Sequence, residues 1–322
     1  MNASPVVVIT GASSGLGRAT AQAFAKRHAR LVLVARGASA LDEVAREATA
    51  LGARDVATVA GDTSDRATTD RAVDTAIARN GRVDLWINAA AVTAYGTFWE
   101  QPPADFERVL QVDITGYANG VRSALRAMMR QRSGLIVNVA SILGEVPQAY
   151  AAAYSMSKAA VIALGRSLRA ELSLAKSPVH VVTVLPPTLD TPIFHHSANV
   201  TGQELRALPP VYPASDVVDV ILAAWKRPGK PERTVTGPGK VLVRQHKRRP
   251  VAVEAALARQ TQALQLGKPA ADTTGNLYTP SGEPHTVSGG WGGRRRKAGR
   301  VLLAAALAAG AAYVIRAKRS ER

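Results

Sequence analysis

The chain has 322 residues, of which 47% are hydrophobic, and it contains no cysteine. This composition excludes a disordered chain, and the missing cysteine excludes disulfides, cysteine nucleophiles and thiolate metal sites. The net charge is +17, but residues 1–225 hold 21 Lys and Arg against 19 Asp and Glu, a net +2, which leaves +15 for residues 226–322. The basic C-terminal third therefore indicates an acidic partner, either a membrane surface or a nucleic acid.

The N-terminal stretch MNASPVVVIT has no basic leader and only a short apolar run, so no secretory signal is expected. After it, β-branched runs alternate with helical patterns; the runs are VVVI, LVLVA, VATVA, DLWIN, GLIVNVA and VHVVTVL, and the helical windows are 15–28, 39–52, 66–79, 103–130 and 151–175. This alternation is typical of parallel strands covered on both faces by helices. The sequence predicts an α/β, doubly wound parallel sheet in one domain over residues 1–240, ending in a short strand and turn at TVTGPGK.

The first apolar run leads directly into TGASSGLG, residues 10–17, and then into a helical pattern. Gly11, Gly15 and Gly17 permit a tight turn, a close approach of backbone N–H groups to a pyrophosphate, and close helix packing. The helix N-terminus adds a preference for negative charge. A dinucleotide-binding loop is therefore predicted at this turn.

Tyr154 and Lys158 lie four residues apart in AAYSMSKAAV, within a window of good helix formers. This spacing places the two side chains on one helix face, where the ammonium group can act on the phenol. An unperturbed phenol has a pKa of about 10, and a neighbouring positive charge lowers it. The spacing alone is compatible with an ordinary surface pair or with half of an active site.

Four stretches, in this order, resemble the short-chain dehydrogenase/reductase family: TGASSGLG, INAAA, VNVAS ending at Ser141, and YSMSK beginning 13 residues after it. The resemblance covers roughly residues 5–240. It implies a Rossmann fold and an enzyme that interconverts a carbonyl and an alcohol by hydride transfer. It also implies that Tyr154 is the general acid/base, Ser141 holds the substrate oxygen, and Lys158 lowers the pKa of Tyr154 and binds the nicotinamide ribose.

The same resemblance implies a set of coenzyme-binding residues: Gly11, Ser13, Ser14, Gly15, Leu16, Gly17, Arg36, Asp62, Thr63, Asn88, Tyr154, Lys158 and Thr191. Arg36 lies 19 residues after Gly17, and Ala35 stands where the family's NAD users carry Asp. Because an arginine at this place accommodates a 2′-phosphate, NADP(H) is predicted in preference to NAD(H). Asp62 resembles the acid that touches the adenine ring, and Thr191 the threonine that contacts the nicotinamide amide.

The chain departs from the family pattern in several places. Ala89 and Ala91 replace a usual Asn and Gly, Pro187 replaces a usual Gly, and Asp113 in QVDITG replaces the Asn of the catalytic group. We expect Asp113 to accept a hydrogen bond from water in a proton relay, although it adds a charge and loses an amide donor. These departures motivate an alternative, a catalytically impaired dinucleotide-binding or membrane-associated interaction protein.

Residues 188–213 lie where the family closes a lid over its substrate. This segment combines Phe194, Leu205, Leu208 and Tyr212, which favours a small, apolar carbonyl or alcohol substrate. The adjacent histidines at positions 195–196 are interpreted as exposed loop residues. No metal site is predicted, because adjacent residues point in different directions and no carboxylate cluster accompanies them.

Four segments follow the predicted domain: a helical extension (241–270), a flexible basic linker (271–300), an apolar helix (301–315) and a basic tail (316–322). Fifteen residues span only about 22 Å of a bilayer core near 30 Å. Flanking arginines can snorkel, so the apolar helix is predicted to anchor the protein to a membrane with its catalytic domain cytoplasmic. The alternative is a soluble cytoplasmic protein whose tail is buried in a homo-oligomer; nucleic-acid binding is disfavoured.

Overall fold

The structure is a computed structural model that describes residues 4–280 and 285–292. The strands are β1 (Val6–Thr10), β2 (Arg30–Ala35), β3 (Asp55–Ala60), β4 (Leu85–Asn88), β5 (Ala94–Tyr95), β6 (Leu135–Val139), β7 (His180–Leu185), β8 (Ala198–Asn199), β9 (Gln203–Leu205), β10 (Glu232–Thr234) and β11 (Leu266–Pro269). The α-helices are α1 (Gly15–Ala25), α2 (Ala38–Ala50), α3 (Arg66–Asn80), α4 (Pro103–Leu110), α5 (Gly116–Gln131), α6 (Ala152–Leu174), α7 (Ile193–His196), α8 (Ala214–Lys226), α9 (Gly237–Arg248) and α10 (Pro250–Leu264). A π-helical turn, Gln111–Thr115, joins α4 to α5.

Seven parallel strands form the central sheet in the order β10-β7-β6-β4-β1-β2-β3. The strand order reverses between β1 and β4, and parallel α/β sheets bind ligands beyond the carboxyl ends of their strands at such a point. The doubly wound sheet predicted from the sequence is confirmed. The fold therefore places a ligand cleft beyond the ends of β1 and β4.

Strand β1 shows why the sheet needs helices on both faces. All five of its residues are buried. Val7 and Ile9 pack in one core layer with Phe24 of α1, while Val6 and Val8 pack in the opposite layer with residues of α3 and α5. Alternate side chains of a strand point to opposite faces, so a continuous apolar run is stable only between two layers of helices.

The last strand of the sheet differs in detail from the prediction. Strand β10 begins before the TVTGPGK stretch and shares only Thr234 with it. The predicted turn is the start of α9, because the Thr236 side chain accepts a hydrogen bond from the N–H of Gly239 and so caps the helix. A threonine N-cap followed by Gly-Pro thus starts a helix here.

Helices α9 and α10 and strand β11 cover the substrate end of the cleft. Strand β11 pairs antiparallel with β9, with Leu266 opposite Leu205. Leu257 of α10 packs in one cluster with Tyr117 and Ile142 of the domain. The extension is therefore continuous with the apolar core around the cleft.

The segment predicted as a flexible linker packs against the domain where the structure describes it. We call residues 271–280 and 285–292 the strap. Leu277 in the strap is 0% exposed and packs with Val92 and Val109.

The predicted anchor at 301–315 and the basic tail at 316–322 lie outside the described residues. Within 4–280 and 285–292, no helix is both long enough and apolar enough to cross a membrane.

Candidate active site

The loop between β1 and α1 has the shape that a dinucleotide pyrophosphate requires. Gly11 has φ +68°, and a Cβ there would lie 2.7 Å from the Cα of Ala90. A Cβ on Gly17 would lie 2.0 Å from the carbonyl oxygen of Gly11. Only glycine satisfies both the left-handed turn and the close packing of the helix on the loop. These residues fit a dinucleotide coenzyme.

A cavity of about 1160 Å³ runs from this loop along the cleft. Ligand pockets commonly measure ~300–1,000 Å³, so a coenzyme and a substrate can be accommodated together. The predicted site residues that line it are Gly11, Ser13, Ser14, Gly15, Leu16, Gly17, Arg36, Asp62, Thr63, Ser141, Tyr154, Lys158 and Thr191. The structure therefore brings almost the whole predicted set to one continuous space.

Helix α6 carries Tyr154 and Lys158 on the face turned to the cavity. Lys158 is 1% exposed, and its Nζ lies 3.0 Å from Oδ2 of Asp113, which is 0% exposed. The same Nζ lies 5.1 Å from the centre of the Tyr154 ring and 4.8 Å from that of Tyr117. An ammonium group is thus held between a carboxylate and two aromatic faces.

Asp113 lies on the π-helical turn, behind the cavity wall. Its Oδ1 accepts the backbone N–H of Val92 at 2.9 Å, and its Oδ2 accepts from Ser157 Oγ at 3.3 Å as well as from Lys158. Asp113 therefore acts on Lys158 directly, whereas the sequence led us to expect contact with a water. Burial raises the pKa of the Asp113 carboxyl, and the Lys158 charge with these hydrogen bonds opposes that effect.

Tyr117 lies one helical turn after Asp113 and completes this buried group. Its hydroxyl donates to the carbonyl oxygen of Val139 at 2.8 Å, and Lys158 Nζ donates to the same hydroxyl oxygen at 3.5 Å. Burial raises the pKa of Tyr117, and the negative charge of Asp113 raises it further. Tyr117 therefore stays a neutral hydroxyl that links Lys158 to the end of β6.

The environment of Tyr154 holds its phenol in the protonated form. Burial is the largest influence and raises the pKa of Tyr154 above its ordinary value. The Lys158 ammonium lowers this pKa, as predicted from the sequence, but Asp113 raises it again. Burial and the Asp113 charge outweigh Lys158, so the net shift is upward.

Ser141 starts a short 3-10 turn directly after β6. Its Oγ accepts the N–H of Leu143 at 3.1 Å, and the side chain is buried along the cavity wall. The backbone N–H of Ile142 donates to the carbonyl of Pro186 at 2.9 Å, which ties this turn to the end of β7. The hydroxyl hydrogen of Ser141 is thereby left available to a ligand oxygen in the cavity.

The other end of the cleft carries two arginines and an aspartate. Arg108 of α4 forms an ion pair with Asp62 and also donates to Ser64 Oγ at 3.1 Å. Burial acts to raise the pKa of Asp62. The hydrogen bonds from Ser64 and Arg108 lower this pKa by more than burial raises it, so the net shift is downward. Burial lowers the pKa of Arg36; the Asp62 charge opposes this effect, and the nearby Arg108 charge adds to it.

The strap lies across this end of the cleft. Arg36 Nη1 donates to the carbonyl oxygen of Leu277 at 2.9 Å, and its Nη2 donates to that of Asn276 at 2.5 Å. Arg108 Nε donates to the same Leu277 oxygen at 3.0 Å. Asn276, Pro280 and His285 of the strap line the cavity. The C-terminal residues therefore form part of the outer wall of the cleft.

Asn88 does not line the cavity. Its Oδ1 accepts from the indole N–H of Trp86 at 2.7 Å, and its Nδ2 donates to Asn138 Oδ1 at 2.9 Å. Its amide thus ties β4 to β6 inside the core. The end of β4 is fixed instead by Thr10, whose Oγ1 accepts the N–H groups of residues 89 and 90 at 3.1 and 3.2 Å.

The substrate end corrects two expectations. His195 is exposed as predicted, but His196 is 6% exposed and lines the cavity, so the prediction of an exposed loop residue is wrong for it. Phe194 and Tyr212 line the cavity, whereas the leucines at 205 and 208 do not line it and are buried in the core clusters beside it. Gln148 and Gln265, joined by a hydrogen bond, add a polar patch to this wall.

Sequence reasoning missed three contributors: Tyr117, Arg108 and the strap. Tyr117 could have been found, because it lies four residues after Asp113 on a predicted helix. The partners of Arg108 lie 46 and 169 residues away, so no local pattern marks it. Within the part of the chain that the structure describes, no cluster of three metal-ligating side chains exists.

Comparisons with known proteins agree with this geometry. The family model described as short chain dehydrogenase matches residues 5–200. An uncharacterized oxidoreductase, YxnA, of Bacillus subtilis is 32% identical over 227 residues, which are 69% of this chain but only 63% of that protein. A cis-4-hydroxycyclohexanecarboxylate dehydrogenase of Sinomonas cyclohexanicum is 40% identical over 194 residues, 59% of this chain and 76% of that protein.

Among solved structures, a short chain dehydrogenase/reductase from Burkholderia phymatum in complex with NAD superposes with a TM-score of 0.71 at 28% identity. The match covers 78% of this chain and 96% of that chain. The sequence motifs, the parallel sheet and the site residues thus point to the same group of proteins as the family model. The chain belongs to the short-chain dehydrogenase/reductase family.

Proposed function

We propose that this protein is an NADP(H)-dependent oxidoreductase that interconverts a carbonyl and an alcohol. One observation carries the proposal: Ser141, Tyr154 and Lys158 line the same cavity that begins at the glycine loop, and the buried Asp113 holds Lys158 from behind the cavity wall. A bound nicotinamide coenzyme would supply or accept the hydride. The protein supplies binding, orientation and a proton.

Tyr154 is the general acid in carbonyl reduction and the general base in alcohol oxidation. Reduction develops negative charge on the carbonyl oxygen, and the raised pKa of Tyr154 keeps its proton available for that oxygen. Ser141 donates a second hydrogen bond to the same oxygen. Lys158 favours the phenolate during oxidation, and Asp113 fixes the position of the Lys158 ammonium.

Arg36 favours NADP(H) over NAD(H). It follows β2 at the cleft, and Ala35 before it brings no carboxylate that would repel a 2′-phosphate. Glycine-loop residues and Thr63 would hold the pyrophosphate and adenosine, and Thr191 would contact the nicotinamide amide. Residues 1–240 would form the catalytic domain.

The substrate is a small, largely apolar carbonyl or alcohol. Phe194, Leu242, Val253 and Leu257 line the cavity and give it an apolar wall. Apolar surface of this kind favours ligands with little charge near the reacting group.

The test is a screen of the purified protein with NADPH or NADH and a panel of ketones, aldehydes and quinones. We expect oxidation of NADPH with at least one apolar carbonyl, and loss of that activity in Tyr154→Phe. The matched control is Tyr150→Phe, because Tyr150 lies outside the cavity lining. Tight coenzyme binding without turnover on any substrate would favour the alternative, an impaired dinucleotide-binding protein.

Residues 294–322 attach the protein to a membrane in this proposal. The support is their sequence, an apolar stretch at 301–315 between basic clusters. Deleting residues 294–322 should move the protein from the membrane to the soluble fraction with activity retained. Full-length protein that stays soluble without detergent in high salt would contradict this attachment.

A further inference from the structure

Two guanidinium groups converge on one backbone carbonyl oxygen at the end of the cleft beside Arg36 and Asp62. We call this the adenosine end, because the proposed coenzyme would place its adenosine there. Arg36 Nη1 and Arg108 Nε lie 2.9 and 3.0 Å from the oxygen of Leu277. Arg36 comes from the end of β2 and Arg108 from α4, so two separate elements bring their charges to one point. A neutral carbonyl is a weak acceptor for two cations compared with an anionic oxygen.

The charges in this group do not balance. Asp62 pairs with Arg108, but within residues 4–280 and 285–292 Arg36 has no carboxylate at ion-pair distance. Two positive charges and one negative charge leave a net charge of about +1 in a partly buried place. An added anion would balance it.

The strap closes the cleft around this point. Pro280 lies beside Gly37, since a Cβ atom added to Gly37 would be 3.7 Å from the Cβ of Pro280. The backbone N–H of Gly15 donates to the carbonyl oxygen of Thr286 at 2.9 Å. Gly15 belongs to the loop that is shaped for phosphate. Two carbonyl oxygens of the strap, those of Leu277 and Thr286, therefore accept hydrogen bonds from donors that would also suit phosphate oxygens.

We propose that the Leu277 carbonyl occupies the place of a coenzyme 2′-phosphate, and that Arg108 is a second specificity-determining residue beside Arg36. A coenzyme with a 2′-phosphate displaces the strap from both guanidinium groups, whereas NAD has a neutral 2′-hydroxyl group at this position. This inference rests on the proposed NADP(H) dependence. It adds Arg108 and the strap to the recognition of the 2′-phosphate.

The first experiment measures amide hydrogen exchange of the full-length protein with adenosine 2′-monophosphate, adenosine 5′-monophosphate or inorganic phosphate at equal concentration. The N–H of Asn276 donates to the carbonyl oxygen of His196 at 2.8 Å, and the N–H of Leu277 donates to that of Thr274 within the strap at 3.2 Å. We expect the 2′-monophosphate to increase exchange at these two amides and the 5′-monophosphate to leave it unchanged. Decreased exchange would show that the ligand binds beneath an intact strap, and an equal response to inorganic phosphate would show a simple phosphate site; both overturn the proposal.

The second experiment measures dissociation constants of the same ligands for variants. Arg108→Ala should weaken binding of the 2′-monophosphate about tenfold, because one charge-assisted hydrogen bond is lost. Binding of the 5′-monophosphate should be unchanged. Arg122→Ala is the control, because Arg122 is exposed on α5 away from the cleft. Leu277→Ala removes the buried side chain that holds the strap, and it should lower the dissociation constant of the 2′-monophosphate by a factor of about three.

The outcomes separate this proposal from the proposed function. Unchanged 2′-monophosphate binding in Arg108→Ala, with NADP⁺ still bound through Arg36, overturns the role of Arg108 and leaves the oxidoreductase proposal intact. Weaker binding of the 2′-monophosphate by Leu277→Ala would show that the strap covers the bound ligand, and it would overturn the proposed displacement of the strap. Failure of the wild type to bind either NADP⁺ or NAD⁺ overturns the proposed function itself.

Discussion

The two ends of the cleft handle charge in opposite ways. At the catalytic end, Lys158 and Asp113 form an ion pair in which neither side chain is more than 1% exposed. At the adenosine end, Arg36 and Arg108 share a carbonyl of the strap and keep an excess positive charge. Proton transfer requires charges held in fixed positions, whereas a coenzyme must enter and leave. The fixed charges lie on helix α6 and the π-helical turn, whereas the contact that we propose to be exchanged lies in the C-terminal strap.

The largest effect is expected at the catalytic end, for Tyr154→Phe. This change removes only the hydroxyl that exchanges the proton, so kcat should fall by about 10³-fold or more while NADPH binding is preserved. The measurements are steady-state kinetics and calorimetric titration of NADPH. A Phe variant with a kcat near that of the wild type would refute the assignment of Tyr154.

The second effect concerns stability of the same end. Lys158→Met leaves Asp113 as an uncompensated buried charge and should lower the free energy of unfolding by about 3–5 kcal/mol in urea titrations near neutral pH. Lys226→Met, on an exposed face of α8, is the control and should be neutral. Combining Lys158→Met with Asp113→Leu should recover most of the loss. A single Lys158→Met variant as stable as the wild type would show that the pair is not ionised.

The third effect belongs to the adenosine end. Arg36→Asp removes a charged donor and places a carboxylate near the 2′-phosphate. Binding of NADPH should therefore weaken by roughly 100-fold, with a much smaller loss of affinity for NADH. Dissociation constants for both coenzymes provide the measurement, and Arg122→Asp provides the control. Equal losses for the two coenzymes would remove Arg36 from coenzyme selection.

The smallest effect is a shift in pH dependence caused by Asp113→Asn. Alcohol oxidation requires the Tyr154 phenolate, so kcat/KM rises with pH through the pKa of Tyr154. Asp113 raises that pKa, and removing its charge lowers it, so the rise should move to lower pH. Because the pKa of Tyr154 lies above its ordinary value, profiles from pH 6 to 10 record the rising limb, and the shift is measured as a higher kcat/KM of the variant than of the wild type at each pH. A movement to higher pH, or complete loss of activity at every pH, would show that the carboxylate itself is required.

Much of the glycine loop and of the catalytic end could be predicted from the sequence, because their residues are set by local spacing. The glycines of the first turn and the Tyr154–Lys158 pair each lie within one turn of a loop or helix, so their neighbours are fixed by backbone geometry. The direct contact of Asp113 with Lys158 was not predicted, because it depends on how the π-helical turn packs against α6.

The adenosine end could be predicted only in part. Arg36 follows the second strand, and this position alone indicated its place beside the coenzyme. Its hydrogen-bond partner Leu277 lies 241 residues further along the chain, in a segment whose composition is typical of a linker. Composition reports whether a segment can form a core of its own, and it carries no information about one leucine that is buried in another core. His196 shows the same limit, since a loop position does not reveal burial.

If the two ends of the cleft perform separate tasks in one reaction, substitutions at each end should affect different constants. The measurement is kcat at saturating coenzyme together with the NADPH dissociation constant, for wild type, Tyr154→Phe and Arg36→Asp. Tyr154→Phe should lose kcat with an unchanged dissociation constant. Arg36→Asp should lose NADPH affinity, while its kcat with saturating NADH remains close to that of the wild type. A Tyr154→Phe variant that binds NADPH as weakly as Arg36→Asp, or an Arg36→Asp variant as inactive as Tyr154→Phe at saturation, would contradict this separation of tasks.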